Sequence, residues 1–354
     1  MPDWIGSQGD TTARRYRLMA ERETRGISPS YEAICLGVAG DAELLARLDA
    51  LPPPKRQPNL LLGAVRFLGG GAAASAGMSG GGEEAPVEEG SPDGDGSVSS
   101  WAEFRALALD RWDEIAATML ARRTQTNEPG RCASLLPVLA ALPQPLALLE
   151  VGASAGLCLY PDRYSYRYES ATGLHRVGAG AAELRCAVTG PVPLPTRPPD
   201  VVWRCGLDLN PLVVGRDEDV RWLQSLIWPE QTRRFEVLRD AVAIARADPP
   251  TIVSGDLTTD LAAVAASAPP DVTLVVFHSA VLAYVPLAGR SAFADAVGRL
   301  AEVRPTVWLS NEAPGVVAGT EVEPSGPARF VLARDGRPLA RTGPHGQSLD
   351  WLPV

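Results

Sequence analysis

The hydrophobic positions change their spacing near residue 146. Upstream, apolar residues recur three and four apart, the mark of amphipathic helices. Thr11 to Arg25 is rich in helix formers, and Ser28-Pro29 opens a second helical stretch with proline in its first turn, apolar at Ile34, Val38, Leu44, Leu45 and Leu48. Asn59 to Leu68 continues as a short apolar helix. Ser100-Trp101-Ala-Glu103 reads as a capping box before a stripe of Phe104, Leu107, Trp112, Ile115, Met119 and Leu120, and Arg131 to Leu142 is a further apolar helix. Residues 1–145 are therefore expected to form an all-helical subdomain.

From Leu146 onward, short apolar runs without alternation are separated by helical patterns. The runs are Leu146 to Val151, Val201 to Gly206, Thr251 to Ser254, Thr273 to Phe277 and Thr306 to Ser310. Strands of this kind belong to a parallel sheet covered on both faces. The helices between them are read as Val220 to Ala247, interrupted at Pro229, then Leu261 to Ser267 and Ala288 to Glu302. Asp335-Gly336 supplies a tight turn between Arg329 to Arg334 and Arg337 to Thr342, which predicts a C-terminal hairpin. Tyr164 to Tyr168 and Glu183 to Val188 have strand patterns of their own, so a β insertion is expected at about 160–195. The fold class is α/β: a Rossmann-like, mostly parallel sheet over 146–354 under a helical N-terminal cap.

Composition narrows the chemistry. The net charge of −9 is concentrated in Gly69 to Ser100, which holds ten glycines and six acids (Glu83, Glu84, Glu88, Glu89, Asp93, Asp95) and no base. That stretch reads as a disordered insertion. No basic stripe is present, so nucleic acid is not an expected partner, and a small molecule is. Lys55 is the chain's one lysine and sits in a proline run, which excludes a P-loop and a Schiff-base enzyme. Five widely spaced cysteines without a C-x-x-C pair predict neither disulfides nor a metal site. No signal peptide or membrane span is read, so the expected location is cytoplasmic. Oligomeric state is not readable.

The segment Leu148-Leu-Glu150-Val-Gly152-Ala-Ser154-Ala-Gly156-Leu157 places an acid at a strand end before a turn of small residues that could open a helix, bringing backbone N–H groups close to a ligand. It resembles the E-x-G-x-G-x-G loop of S-adenosylmethionine-dependent methyltransferases, with Ser154 in place of the middle glycine. Asp208 and Asp256 follow at the next two strand ends. The resemblance implies that Glu150, Gly152, Ser154 and Gly156 hold S-adenosylmethionine, with Asp208 on the ribose hydroxyls and Asp256 by the adenine. Asp208 lies 58 positions after Glu150, far beyond the roughly 20 of a dinucleotide fold, a gap the β insertion would explain. Either acid could equally be a helix cap.

His278 ends the fourth strand, where such enzymes face the methyl donor and acceptor, and is the candidate base. Its plainer alternative is a hydrogen-bonded histidine at a strand end. Asn127, Glu128 and Arg131 form a second polar cluster and are candidates for binding the acceptor. The expected function is a methyltransferase acting on a small-molecule acceptor, which enters between the helical cap and His278.

Gly152-Ala-Ser154-Ala-Gly156 also matches G-x-S-x-G, the nucleophile elbow of serine hydrolases, with His278 or His345 and Asp256 to complete a triad. The absence of strands before Leu146 argues against it. A non-catalytic nucleotide-binding protein of the same fold is a third reading. Apart from the Gly-rich stretch, the chain resembles an uncharacterised bacterial family known only as a domain of unknown function. The resemblance rests on Gln57-Pro-Asn-Leu-Leu61, Gln125-Thr-Asn-Glu128, Glu150 to Leu157, Asp208-Leu-Asn-Pro211, Trp228-Pro-Glu230, Phe277-His-Ser279 and Ser310-Asn-Glu312. It implies no activity, but groups these polar positions as one site.

Overall fold

The computed structural model describes residues 11–76, 100–125, 127–323 and 330–353. The chain forms two compact units, one of residues 2–126 and 221–235, the other of residues 127–220 and 236–354.

The first unit is helical. Thr12–Met19 (α1) runs into a π-helical turn at Ala20–Thr24, followed by Pro29–Gly40 (α2), Ala42–Asp49 (α3), Pro58–Ala76 (α4), Trp101–Asp110 (α5) and Trp112–Ala121 (α6). Local chemistry sets the starts. The Ser28 hydroxyl accepts from the Tyr31 N–H with Pro29 in the first turn, and the Asp41 carboxylate caps α3 at Leu44. Ser100 and Glu103 form the reciprocal capping box ahead of α5. Tyr16, Ile34, Leu44, Leu48, Phe104, Ile115 and Met119 are buried and make the core. α4 continues to Ala76, past Leu68 where the sequence pattern ends it, so the Gly-rich stretch begins inside a helix. The expectation of disorder for the rest of that stretch, 77–99, lies outside the described residues.

The second unit is built on one eleven-stranded sheet. Its strands are Leu146–Val151 (β1), Ser165–Ser170 (β2), Gly173–Val177 (β3), Glu183–Thr189 (β4), Val201–Asp208 (β5), Thr251–Ser254 (β6), Thr273–Ser279 (β7), Thr306–Glu312 (β8), Phe330–Arg334 (β9), Arg337–Thr342 (β10) and Ser348–Trp351 (β11). They lie in the order β3-β2-β4-β11-β10-β9-β8-β7-β1-β5-β6. The block β6-β5-β1-β7-β8 is parallel throughout. Within this block the chain, after the excursion to β2–β4 at the far edge of the sheet, adds β5 and β6 on one flank of β1 and then β7 and β8 on the other, so β1 and β7 bracket a reversal of winding. Every residue of β1 is buried, as a strand covered on both faces requires. Cys132–Ala141 (α7) leads into β1. Asp217–Ser225 (α8), Thr232–Ala247 (α9), Leu261–Ala265 (α10) and Leu287–Val303 (α11) complete the helices.

The C-terminal hairpin forms as expected, with Asp335 and Gly336 both at positive φ between β9 and β10. The strands expected at about 160–195 are present as β2–β4 between β1 and β5, and they extend the main sheet because β4 pairs with β11, a strand the sequence pattern did not reveal. No described helix is long and apolar enough to cross a membrane.

Candidate functional site

In open α/β sheets, ligands bind beyond the carboxyl ends of the strands where the winding reverses. Here that edge carries Glu150 and the Gly152–Gly156 turn after β1, Asp208 closing β5, Asp256 just after β6, His278 and Ser279 closing β7, and Glu312 closing β8.

The turn after β1 is held entirely by the protein. Gly152, Ser154 and Gly156 adopt φ of 71°, 52° and 72°. The Gly152 N–H donates to the Leu207 carbonyl (2.8 Å), the Ser154 N–H to Oδ2 of Asp208 (2.8 Å), the Gly156 N–H to the Ala153 carbonyl (2.7 Å) and the Leu157 N–H to Oδ1 of Asn127 (2.8 Å). Only a three-residue 3-10 turn, Leu157–Leu159, follows. The sequence-based expectation of a helix opening here is therefore corrected: no helix N-terminus is present to cradle an anion, and these amides already have acceptors. Asn127, expected in the acceptor site, caps this turn. Val281 lies over it, since a Cβ built on Gly152 would stand 2.4 Å from Cγ2 of Val281.

Glu150 is buried, and its Oε2 has no hydrogen-bond partner among the described residues. Burial pushes its carboxyl well above the usual range, helped by the Cys158 thiol and opposed by the Arg131 guanidinium. Asp208 bridges its own turn, accepting from the Asn210 N–H (2.7 Å) as well as from Ser154. Asp256 is held within its own turn and is not the helix cap of the alternative reading, since Asp260 precedes the next helix. Its Oδ1 accepts from the Thr258 hydroxyl (2.6 Å) and N–H (2.7 Å), and these bonds hold the carboxyl below its ordinary value.

Arg131 spans the top of β7. Its Nε donates to the Pro344 carbonyl and its Nη1 to the Ser279 carbonyl, each at 3.0 Å. Glu128 accepts from the Gly130 N–H (3.3 Å), and its other oxygen stands 3.4 Å from Nδ1 of His345. Two glycines permit this meeting of distant turns. A Cβ at Gly130 would lie 2.4 Å from the His345 carbonyl oxygen, and one at Gly346 would collide with the Gly130 carbonyl.

His278 is fully buried. Its Nε2 accepts from the indole N–H of Trp308 (3.0 Å), and its Nδ1 meets Oε1 of Glu312 at 2.7 Å. An indole N–H only donates, so Nε2 carries no proton and Nδ1 does. Both ring nitrogens of the expected base are thus engaged within the protein. Glu312, which carries no role of its own in the sequence analysis, is the polar residue behind it. The signal that was there is its place in Ser310-Asn-Glu312 at a strand end.

The parts of a serine-hydrolase triad are not assembled. The Ser154 Oγ is buried with no partner among the described residues, His278 is paired with Trp308 and Glu312, His345 stands by Glu128, and Asp256 is held by Thr258. Among the described residues no cluster of His, Cys, Asp or Glu suits a metal ion.

Sheet and edge together define an α/β protein with a buried polar cluster at the carboxyl ends of β1, β7 and β8. The chain belongs to a family described as "Uncharacterized protein conserved in bacteria (DUF2332)", whose pattern matches residues 13–351. No curated protein and no solved structure matches it.

Proposed function

We propose that the second unit binds S-adenosylmethionine at the carboxyl ends of β1 and β5 and transfers its methyl group to a small-molecule acceptor. One observation carries the reading: an unpartnered, buried carboxyl oxygen of Glu150 at the reversal point of the parallel strands. Those strands run in the 3-2-1-4-5 order of dinucleotide-binding sheets. A carboxylate only accepts hydrogen bonds, so this oxygen suits a ligand with an ammonium or sulfonium end. Glu150, Asp208 and Glu312 all stand at the carboxyl ends of strands along this edge, an excess of acid over the one arginine, Arg131, in the field of Glu150, and this favours a cationic ligand over a phosphate. Asp208, at the carboxyl end of the neighbouring strand β5, suits the ribose hydroxyls, because a carboxylate accepts from hydroxyl donors. When bound, S-adenosylmethionine supplies an electrophilic methyl group. The protein's part is alignment of the acceptor, because His278 is sealed.

Calorimetric titration of the full chain with S-adenosylmethionine and S-adenosylhomocysteine tests this. Glu150→Gln and Asp208→Asn are expected to weaken binding by about tenfold or more while the protein stays folded. A folded wild type that binds neither ligand overturns the reading. The sealing of His278 favours one second reading, a nucleotide-binding protein without turnover. Binding without release of S-adenosylhomocysteine across a panel of amine and hydroxyl acceptors would select it.

A further inference from the structure

Glu312 closes β8 with one oxygen over-supplied and the other unmatched. Its Oε1 faces three donors: Nδ1–H of His278 at 2.7 Å, the Val281 N–H at 2.8 Å and the Leu282 N–H at 3.0 Å. These bonds lock the carboxyl group in place. Its Oε2, on a residue 2% exposed, meets no hydrogen-bond partner among the described residues. The three donors are neutral, so a buried carboxylate here has no counter-ion, an expensive arrangement unless something else supplies one. Arg131 does not: it is turned to the carbonyls of Pro344 and Ser279, and no ion pair joins it to Glu312 among the described residues.

Tyr284, on the turn after β7, is the exposed neighbour of this pair. Its phenol is pushed up to about 12, first by desolvation of the hydroxyl, with Arg131 opposing and Glu312 reinforcing, so the hydroxyl lies in the field of both. The ring is half exposed, and the exposed Leu287 follows at the start of α11.

We propose that Glu312 Oε2 is the recognition atom of a subsite for a primary ammonium group carried on an apolar or aromatic body. Tyr284, two residues beyond the Leu282 amide that Oε1 binds, is the aromatic side chain beside it. The subsite lies on the β7–β8 side of the reversal point, apart from the Glu150 and Asp208 side, and needs no bound nucleotide.

The test titrates the full chain, without S-adenosylmethionine, with benzylammonium and with the neutral benzyl alcohol. Wild type is expected to prefer benzylammonium by about tenfold or more. Glu312→Gln keeps a carbonyl oxygen for the three donors and puts an NH2 where Oε2 stood. It is expected to lose that preference while keeping its melting temperature. Equal binding of the two probes by wild type, failure of both to bind, or an unchanged preference in Glu312→Gln overturns the proposal. Should the variant not fold, amide shifts in wild type decide. Perturbation of Val281 and Leu282 by benzylammonium supports the subsite, and perturbation confined elsewhere overturns it.

Discussion

Trp308 donates its indole N–H to Nε2 of His278 over 3.0 Å, and this bond fixes which nitrogen of the buried ring carries the proton. The Nδ1–H left over points at Glu312, which in turn holds the amides of Val281 and Leu282. A side chain on β8 thereby sets, through a histidine on β7, the path of the turn that covers Gly152.

Nitrogen-15 NMR at neutral pH is expected to show His278 as the Nδ1–H tautomer. Trp308→Phe removes the donor and leaves a buried ring nitrogen unsatisfied, at a cost of about 1–3 kcal/mol in urea unfolding. An Nε2–H tautomer in wild type would contradict the assignment.

Gly152 is demanded twice, by a φ of 71° and by the contact with Val281. Gly152→Ala is expected to cost about 2–4 kcal/mol, part from the left-handed backbone and part from overpacking. Adding Val281→Ala should restore only the packing part. A neutral Gly152→Ala would mean that the turn shifts freely. Loss of ligand binding in Gly152 variants would therefore report on folding before it reported on contacts.

Asp256 supports a turn, so Asp256→Ala should lower stability by about 1 kcal/mol and leave S-adenosylmethionine affinity unchanged. Its carboxyl is held below the usual value, so its contribution is present at neutral pH and lost as pH falls through the lowered pKa. A drop in affinity with stability intact would instead place Asp256 at the ligand.

The centre of the parallel block was legible because β1 and β7 are buried on both faces, and an apolar run such as Leu274 to Phe277 can satisfy that in few ways. Asp335-Gly336 was legible because it is a local backbone requirement. The turn after β1 was not, because its course depends on partners remote in sequence: Asn127 takes the Leu157 N–H, and the Tyr164 hydroxyl donates to the Leu157 carbonyl at 2.6 Å. β11 was hidden for a similar reason, since four residues acquire strand character only by pairing with β4 and β10. His278 could be placed at a strand end, but whether its ring faces a ligand or a neighbour is decided by Trp308 and Glu312, more than 25 residues away.

Glu150 gives the sharpest pH signature. Its carboxyl binds a proton more tightly in the folded protein than in the unfolded chain, because burial disfavours the charge and Arg131 compensates only in part. Its contribution to stability is therefore greatest in acid and falls as pH rises from the ordinary carboxylate range toward the raised pKa, where the unfolded chain has already released its proton. Glu150→Gln cannot ionise. The stability of the variant relative to wild type should therefore increase with pH across that window, as read by urea unfolding at a series of pH values. A cationic ligand at Glu150 reverses the balance by favouring the carboxylate. Binding of S-adenosylmethionine should then release a proton, seen as a dependence of the calorimetric heat on the buffer's ionisation enthalpy that Glu150→Gln abolishes. A wild-type stability difference that stays flat with pH would show that Glu150 ionises without penalty, and the charge argument for a cationic ligand would lose its base.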